Sequence, residues 1–192
     1  MPVVKRNDSK FQVYLDTCIL QGAISQQNNA DIIFLDTLKK KKVKVYSSIH
    51  TLMELMDIEK DRTFLIKKVF DEHKAVNSFL RGRAEKDLNQ SELGKAVNKV
   101  NNFLFTNKQI TFGNITEDVW NDVKSIVENS NIHSSDALHL ALAIMWQCQF
   151  LVTHDQFFIT EGNRILKESD NTKIIVCDIA VVNRAIEKQV TL

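Results

Sequence analysis

The sequence has few of the residues that bend or break a chain. Only 5 Gly and 1 Pro occur among its 192 residues, which argues against a loop-rich β protein and favours helices. It has no Gly-rich phosphate loop and no Gly-x-Ser-x-Gly elbow, so it lacks the signatures of P-loop enzymes and α/β-hydrolases. An excess of one charge is also missing. The 25 Lys and Arg nearly balance the 24 Asp and Glu, so a nucleic-acid partner is neither demanded nor excluded.

Cysteines are few, odd in number and without a Cys-x-x-Cys pair, so they indicate buried free thiols of a reducing compartment (Cys18, Cys148 and Cys177). Residues 1–10 are polar and lack the apolar core of a signal peptide. No apolar run approaches the roughly 18 residues that a membrane span needs. We therefore expect a soluble, cytoplasmic protein without a membrane partner. We expect residues 1–10 to be a short tail and residues 11–192 to form one domain.

Hydrophobic periodicity predicts strands alternating with helices, which indicates an α/β fold with a central, mainly parallel sheet. No element is predicted between residues 156 and 172. Residues 57–105 are charged and helical in pattern, with a break near Arg81–Arg83, and predict a helical hairpin. The predicted strands are Phe11–Asp16, Val43–Tyr46, Gln109–Phe112, Phe150–Thr153 and Lys173–Cys177. The predicted helices outside the hairpin are Ile19–Ser25, Asp31–Lys41, one capped by Ser47 or Ser48, Thr116–Glu128, one capped by Ser134 or Ser135 that runs to Gln147, and Asp178–Lys188.

Four acids stand in apolar segments, where a carboxylate is costly unless it is compensated: Asp16, Glu54, Asp136 and Asp155. Asp16 and Asp155 follow strands, and Asp136 opens a helix. In a parallel sheet these three positions share the edge at which ligands bind. Oxygen ligands suit Mg²⁺ or Mn²⁺, which can activate water and neutralise a phosphate. The pattern therefore predicts metal-dependent hydrolysis of a phosphodiester.

Each acid alone also has an ordinary structural explanation. Asp136 suits a helix cap, Asp155 a turn, and Glu54 a half-exposed helical position, whereas Asp16 is the hardest to explain without a function. Three histidines accompany the acids (His50, His139 and His154) but match no zinc pattern, and we expect His139 to be a structural residue that could orient a carboxylate. Lys39–Lys42 form a charge run that suits a solvated helix end or phosphate contacts, as do Lys67, Lys68, Arg81 and Arg83.

At these acids the chain resembles the PIN-domain nucleases over about residues 11–178. The resemblance rests on four segments: Leu15-Asp16-Thr17-Cys18-Ile19-Leu20, Ser48-Ile49-His50-Thr51-Leu52-Met53-Glu54-Leu55, Ser135-Asp136-Ala137-Leu138-His139-Leu140-Ala141 and Leu151-Val152-Thr153-His154-Asp155. It implies a three-layer α/β/α sandwich and a Mg²⁺- or Mn²⁺-dependent ribonuclease whose catalytic and metal-binding acids are Asp16, Glu54, Asp136 and Asp155. It also implies a possible homodimer and a toxin silenced by an antitoxin protein.

Two features depart from that family pattern. Many relatives have a further acid two residues after the last Asp, where this chain has Phe157, and the helical region 57–105 is longer than in compact toxins. Three alternatives to a ribonuclease stay open. One is a binding module that docks RNA or a protein without turnover. Another is a haloacid-dehalogenase-type phosphatase, which is disfavoured because Cys18 replaces the second Asp of Asp-x-Asp. The third is a nuclease that acts on DNA.

Overall fold

The computed structural model of the chain describes residues 12–26, 28–71, 88–169 and 173–190. Residues 1–10, predicted to be a tail, and the predicted break at Arg81–Arg83 lie outside this part of the chain. The chain divides into two compact units. One comprises Met1–Ile49 and Gln109–Leu192, and the other comprises His50–Lys108.

The first unit is built on a five-stranded sheet in which every neighbouring pair is parallel. The strands are β1 (Gln12–Leu15), β2 (Lys44–Ser48), β3 (Ile110–Gly113), β4 (Phe150–Val152) and β5 (Ile175–Cys177). Their order in the sheet is β3-β2-β1-β4-β5, which confirms the predicted central parallel sheet. Apart from the edge strand β3, in which only Ile110 is buried, the strands are largely buried, as expected where helices cover both faces.

The helices of the described residues number eight, six of them around the sheet and two in the second unit. Those around the sheet are α1 (Thr17–Ser25), α2 (Asn29–Lys40), α5 (Glu117–Glu128), α6 (Ser134–Met145), α7 (Gln156–Glu168) and α8 (Ile179–Val190). Those of the second unit are α3 (Ile49–Ile66) and α4 (Gln90–Thr106). Among these described helices none is long and apolar enough to cross a bilayer.

Side-chain alternation along the strands separates two helical layers. Tyr14, Leu151 and Val176 point to one face and form a buried core with α5, α6 and α7. Val13 and Leu15 alternate to the opposite face, where α1 packs on α2, α2 packs on α8, and α8 contacts β4. The predicted α/β/α sandwich is confirmed.

The starts of α6 and α7, which carry two of the four acids, differ from the sequence prediction. Helix α7 was not predicted, and Asp155 is its N-cap, accepting a hydrogen bond from the backbone N–H of Phe158 at 3.0 Å. The prediction that Ser134 or Ser135 caps α6 was wrong, because that helix already begins at Ser134. His133 occupies its N-cap position and makes no side-chain capping bond. Asp136 therefore lies within the first turn of α6 and is not its cap.

The second unit is helical in its described residues. Helix α3 continues into a π-helical turn (Lys67–Asp71), and α4 begins with a capping box formed by Asn89 and Glu92. Lys99 donates to the buried carboxylate of Glu59 at 2.8 Å, and Lys67 donates to Glu92 at 3.3 Å. The chain advances from Glu59 to Lys67, whereas the residues that they contact recede from Lys99 to Glu92. Helix α3, with its π-helical continuation, therefore runs antiparallel to α4.

Candidate active site

The strand order in the sheet of the first unit reverses between β1 and β4. Strands β2 and β3 extend from one side of β1, whereas β4 and β5 extend from the other. The backbone N–H of Asp16 donates to the carbonyl of Val152 at 3.1 Å, so the carboxyl ends of β1 and β4 lie side by side. This is the topological switch point, at which open α/β sheets bind their ligands. Asp16 follows the end of β1 at this edge of the sheet, and Asp155 lies shortly after the end of β4.

Asp16 is buried, and donors surround its carboxylate. The backbone N–H of Thr17 donates to Oδ1 at 2.6 Å, which makes Asp16 the N-cap of α1. The hydroxyl of Thr153 donates to Oδ2 at 2.6 Å, and the thiol of Cys18 donates to the same oxygen at 3.1 Å. Nε2 of His139 lies 3.3 Å from Oδ1. These contacts compensate the burial of the carboxylate and fix its orientation.

Thr153 connects Asp16 to Asp155. Its hydroxyl oxygen donates to Asp16 and accepts the backbone N–H of Asp155 at 3.1 Å. Asp155 uses Oδ1 to cap α7. One hydroxyl group therefore links the carboxylate of Asp16 to the backbone of Asp155.

The pKa of Asp136 indicates that the other two acids of the first unit lie nearby. Its pKa is raised from 3.8 to about 6, first by burial and then by the negative charge of Asp16, with a further contribution from Asp155. His139 and His133 act in the opposite direction. Asp16, Asp136 and Asp155 therefore lie within electrostatic reach of one another in the first unit.

Glu54 belongs to the second unit. It lies on α3, one turn from His50, and its Oε1 is 3.4 Å from His50 Nε2. The participation of Glu54 in the site stays a prediction.

The three acids of the first unit fit a hard divalent cation by the type of their donors and by their charge. Carboxylate oxygens suit Mg²⁺ and Mn²⁺, and a cation would offset the burial and the neighbouring negative charges that raise the pKa of Asp136. Within the described ranges of the chain, no three His, Cys, Asp or Glu side chains are already gathered to hold one ion. Both oxygens of Asp16 are engaged in hydrogen bonds.

Sequence reasoning missed a contact beside the site between the buried Asp31 and the exposed His154. Asp31 is 0% exposed, and its Oδ1 lies 2.7 Å from Nε2 of His154, the residue between Thr153 and Asp155. A Cβ on Gly22 would lie 1.8 Å from Asp31 Oδ2, so the glycine makes room for this carboxylate. Asp31 appeared only as the start of a predicted helix, because nothing local in the sequence marks it as buried.

Sequence reasoning also missed the partner of His139. This histidine is buried, and its Nδ1 lies 2.9 Å from the hydroxyl of Tyr14. The sequence prediction that His139 is structural and could orient a carboxylate is compatible with its place beside Asp16. Tyr14 gave no signal of its own, because a tyrosine in an apolar strand is ordinary core composition.

The fold can be compared with known proteins. No family model matches the chain, and no curated protein matches it. A structural match is a chain in the crystal structure of VapBC2 from Rickettsia felis bound to a DNA fragment from their promoter. The two chains are 15% identical with a TM-score of 0.50, and the match covers 86% of this chain and 96% of that one. At this identity the likeness shows the fold, and it confirms the PIN-like fold that the sequence motifs indicate.

Proposed function

We propose that the chain is a metal-dependent endoribonuclease that hydrolyses phosphodiester bonds of RNA in the cytoplasm. The observation that carries this proposal is the hydrogen-bonded link from Asp16 through Thr153 to Asp155 at the switch point of the sheet. Asp136 lies close enough that the charges of Asp16 and Asp155 add to the effect of burial in raising its pKa. Three carboxylates that repel one another in a partly buried site are costly without a cation. A PIN-like fold with acids at these positions supports a nuclease as the protein class.

In this proposal Asp16, Asp136 and Asp155 hold Mg²⁺ or Mn²⁺. When bound, such an ion lowers the pKa of a water ligand and neutralises charge that develops on the phosphate. Thr153 holds Asp16 and the start of the Asp155 turn in place through its single hydroxyl group. Glu54 is the proposed fourth acid, which serves as a ligand or as the base that orients water, and His50 is placed to fix its rotamer.

The proposal is tested by cleavage of a labelled single-stranded RNA with Mn²⁺, with Mg²⁺ and with EDTA. Asp16→Asn should lose cleavage, because the amide removes the negative charge at the most buried of the three acids. Asp36→Asn is the matched control, since Asp36 is exposed on α2. Full activity of Asp16→Asn, or cleavage that survives EDTA, contradicts the proposal. Preferential cutting of DNA of the same sequence would reassign the substrate.

A finer part of the proposal concerns the biological context. VapBC2, which shares the fold, is a two-protein assembly that was crystallised on promoter DNA. We propose by analogy that the present chain is the toxin of such a pair, that an antitoxin protein silences it, and that it forms a homodimer. Induced expression in a bacterial host should then arrest growth, and Asp16→Asn should not. Equal growth arrest by both proteins would contradict a toxic nuclease activity.

A further inference from the structure

A buried polar chain leads from the core of the first unit to Asp16. Tyr14 lies on β1, two residues before Asp16, so both side chains point to the same face of the sheet. His139 lies on α6, three residues after Asp136, and so shares a helical face with that acid. The hydroxyl of Tyr14 lies 2.9 Å from His139 Nδ1, and His139 Nε2 lies 3.3 Å from Asp16 Oδ1.

Two oxygens face His139 Nε2, a carboxylate oxygen of Asp16 at 3.3 Å and the hydroxyl of Thr17 at 3.5 Å. An ionised carboxylate can only accept hydrogen bonds, so the nearer of the two contacts is a hydrogen bond only when Nε2 carries the hydrogen. In a neutral ring Nδ1 is then an acceptor, and the hydroxyl of Tyr14 is the donor that it faces. Tyr14 is 0% exposed and His139 is 1% exposed, so water does not compete for these bonds.

We propose that Tyr14 and His139 are positioning residues of the acid cluster. The hydroxyl of Tyr14 holds His139 in the tautomer whose Nε2–H is directed at Asp16, and this contact orients the carboxylate as a metal ligand. This inference rests on the proposed function, because it assigns Asp16 to a metal. Neither residue touches substrate in this scheme, and both act through Asp16. Metal sites commonly depend on such outer hydrogen bonds, whose loss lowers metal affinity about 10- to 100-fold.

The alternative explanation is that Tyr14 and His139 only fill the core. Tyr14 does pack against other rings, with its ring stacked on Trp146 at 5.8 Å between centroids. Tyr14→Phe removes the hydroxyl and keeps the ring, so a packing role would survive it. The chain supplies a matched control in Tyr46, which pairs in register with Tyr14 on β2 and stacks on the same Trp146 at 5.4 Å.

The first test reads the tautomer without any metal or activity. The ¹⁵N shifts of His139, assigned by comparison with His139→Gln, should show a protonated Nε2 and a bare Nδ1 in the metal-free protein. Tyr14→Phe should change this pair of shifts, and Tyr46→Phe should leave it unchanged. A hydrogen on Nδ1 of the wild-type protein would overturn the inference, as would identical shifts in Tyr14→Phe.

The second test measures Mn²⁺ affinity by calorimetry. Tyr14→Phe should weaken binding by about 10-fold, and Tyr46→Phe should bind like the wild type. His139→Gln keeps a side-chain N–H within reach of Asp16 and should retain more affinity than His139→Leu. Circular dichroism checks that each variant is folded. Equal affinity of Tyr14→Phe and Tyr46→Phe would overturn the inference.

The two proposals fail in distinguishable ways. If the wild type binds Mn²⁺ with the expected order of variants but cuts no RNA, the ribonuclease proposal fails and the positioning role stands. If the wild type cuts RNA and Tyr14→Phe binds Mn²⁺ normally, the positioning role fails alone. A wild type that binds no Mn²⁺ overturns both.

Discussion

At the scale of single residues, the ionised form of Asp136 is costly in the acid cluster when no cation is bound. Its pKa is raised from 3.8 to about 6 by burial and by the charges of Asp16 and Asp155. Because the folded state holds this proton more tightly than the unfolded state, the contribution of Asp136 to stability is complete below pH 3.8. It is lost as the pH rises toward about 6.

We therefore expect Asp136→Asn to stabilise the metal-free protein at pH 8 and to have little effect at pH 4. A shift of about two units corresponds to about 3 kcal/mol for a fully buried group, and partial exposure should reduce it to about 1 kcal/mol. Urea unfolding of both proteins in EDTA at the two pH values measures the difference. The same gain at both pH values would show that the ionised carboxylate of Asp136, in its buried and negatively charged surroundings, is not the cause.

Gly22 and Gly94 form a matched pair of helical glycines with different surroundings. A Cβ on Gly22 would collide with the buried carboxylate of Asp31, whereas a Cβ on Gly94 meets nothing within 4 Å. Gly94→Ala should stabilise the protein by about 0.5–1 kcal/mol, because alanine is the better helix former. Gly22→Ala should destabilise it by about 1–3 kcal/mol through the clash. Chemical unfolding measures both, and a stabilising Gly22→Ala would contradict the close packing of Asp31.

Residues that stand out locally could be found from the sequence, and residues defined by distant contacts could not. Asp16, Asp136 and Asp155 break apolar runs or open them, so burial and charge conflict within a few positions. Tyr14 acquires its role from His139, which is 125 positions away, and Asp31 acquires its role from His154, which is 123 positions away. No local pattern records such a contact.

At the scale of secondary-structure elements, helix α7 shows how one acid can serve the fold and the site together. Asp155 caps α7 with Oδ1 while its charge acts on Asp136. Asparagine caps helices about as well as aspartate, and alanine does not.

These two roles of Asp155 can be separated by two substitutions. Asp155→Asn should keep the stability of the protein, whereas Asp155→Ala should cost about 1 kcal/mol. Both variants should lose Mn²⁺ affinity, because both lack the charge. Thermal unfolding in EDTA and a Mn²⁺ titration measure the two effects. The separation of roles would be contradicted by Asp155→Asn that is as unstable as Asp155→Ala, or by normal Mn²⁺ binding in either variant.

The elements that the sequence predicted best are the strands, whose short apolar runs are rich in β-branched and aromatic residues. All five strands were predicted, and none of their ends differs from the observed one by more than two residues. Helix α7 was missed because Asp155, which follows an apolar strand, is also the N-cap of that helix. The apolar positions Phe158 and Leu166 are one face of that helix and were a usable signal.

At the scale of the whole molecule, the parallel sheet was predictable and the strand order was not. Alternating strands and helices imply parallel pairing, because each helix carries the chain back across the sheet. The order β3-β2-β1-β4-β5 depends on which strand edges pair, and it places the switch point between β1 and β4. That order brings Asp16 beside the Thr153–Asp155 turn. The second compact unit, His50–Lys108, includes the region 57–105 whose charged, helical pattern predicted a helical hairpin.

The measurement that tests the central claim most directly is Mn²⁺ binding by isothermal titration calorimetry to the wild type, Asp16→Asn, Asp136→Asn and Asp36→Asn. We expect the wild type and Asp36→Asn to bind alike, and the two site variants to bind at least about 10-fold more weakly. Binding that is indifferent to Asp16 and Asp136, or no binding by the wild type, would contradict a metal centre at the switch point of the sheet.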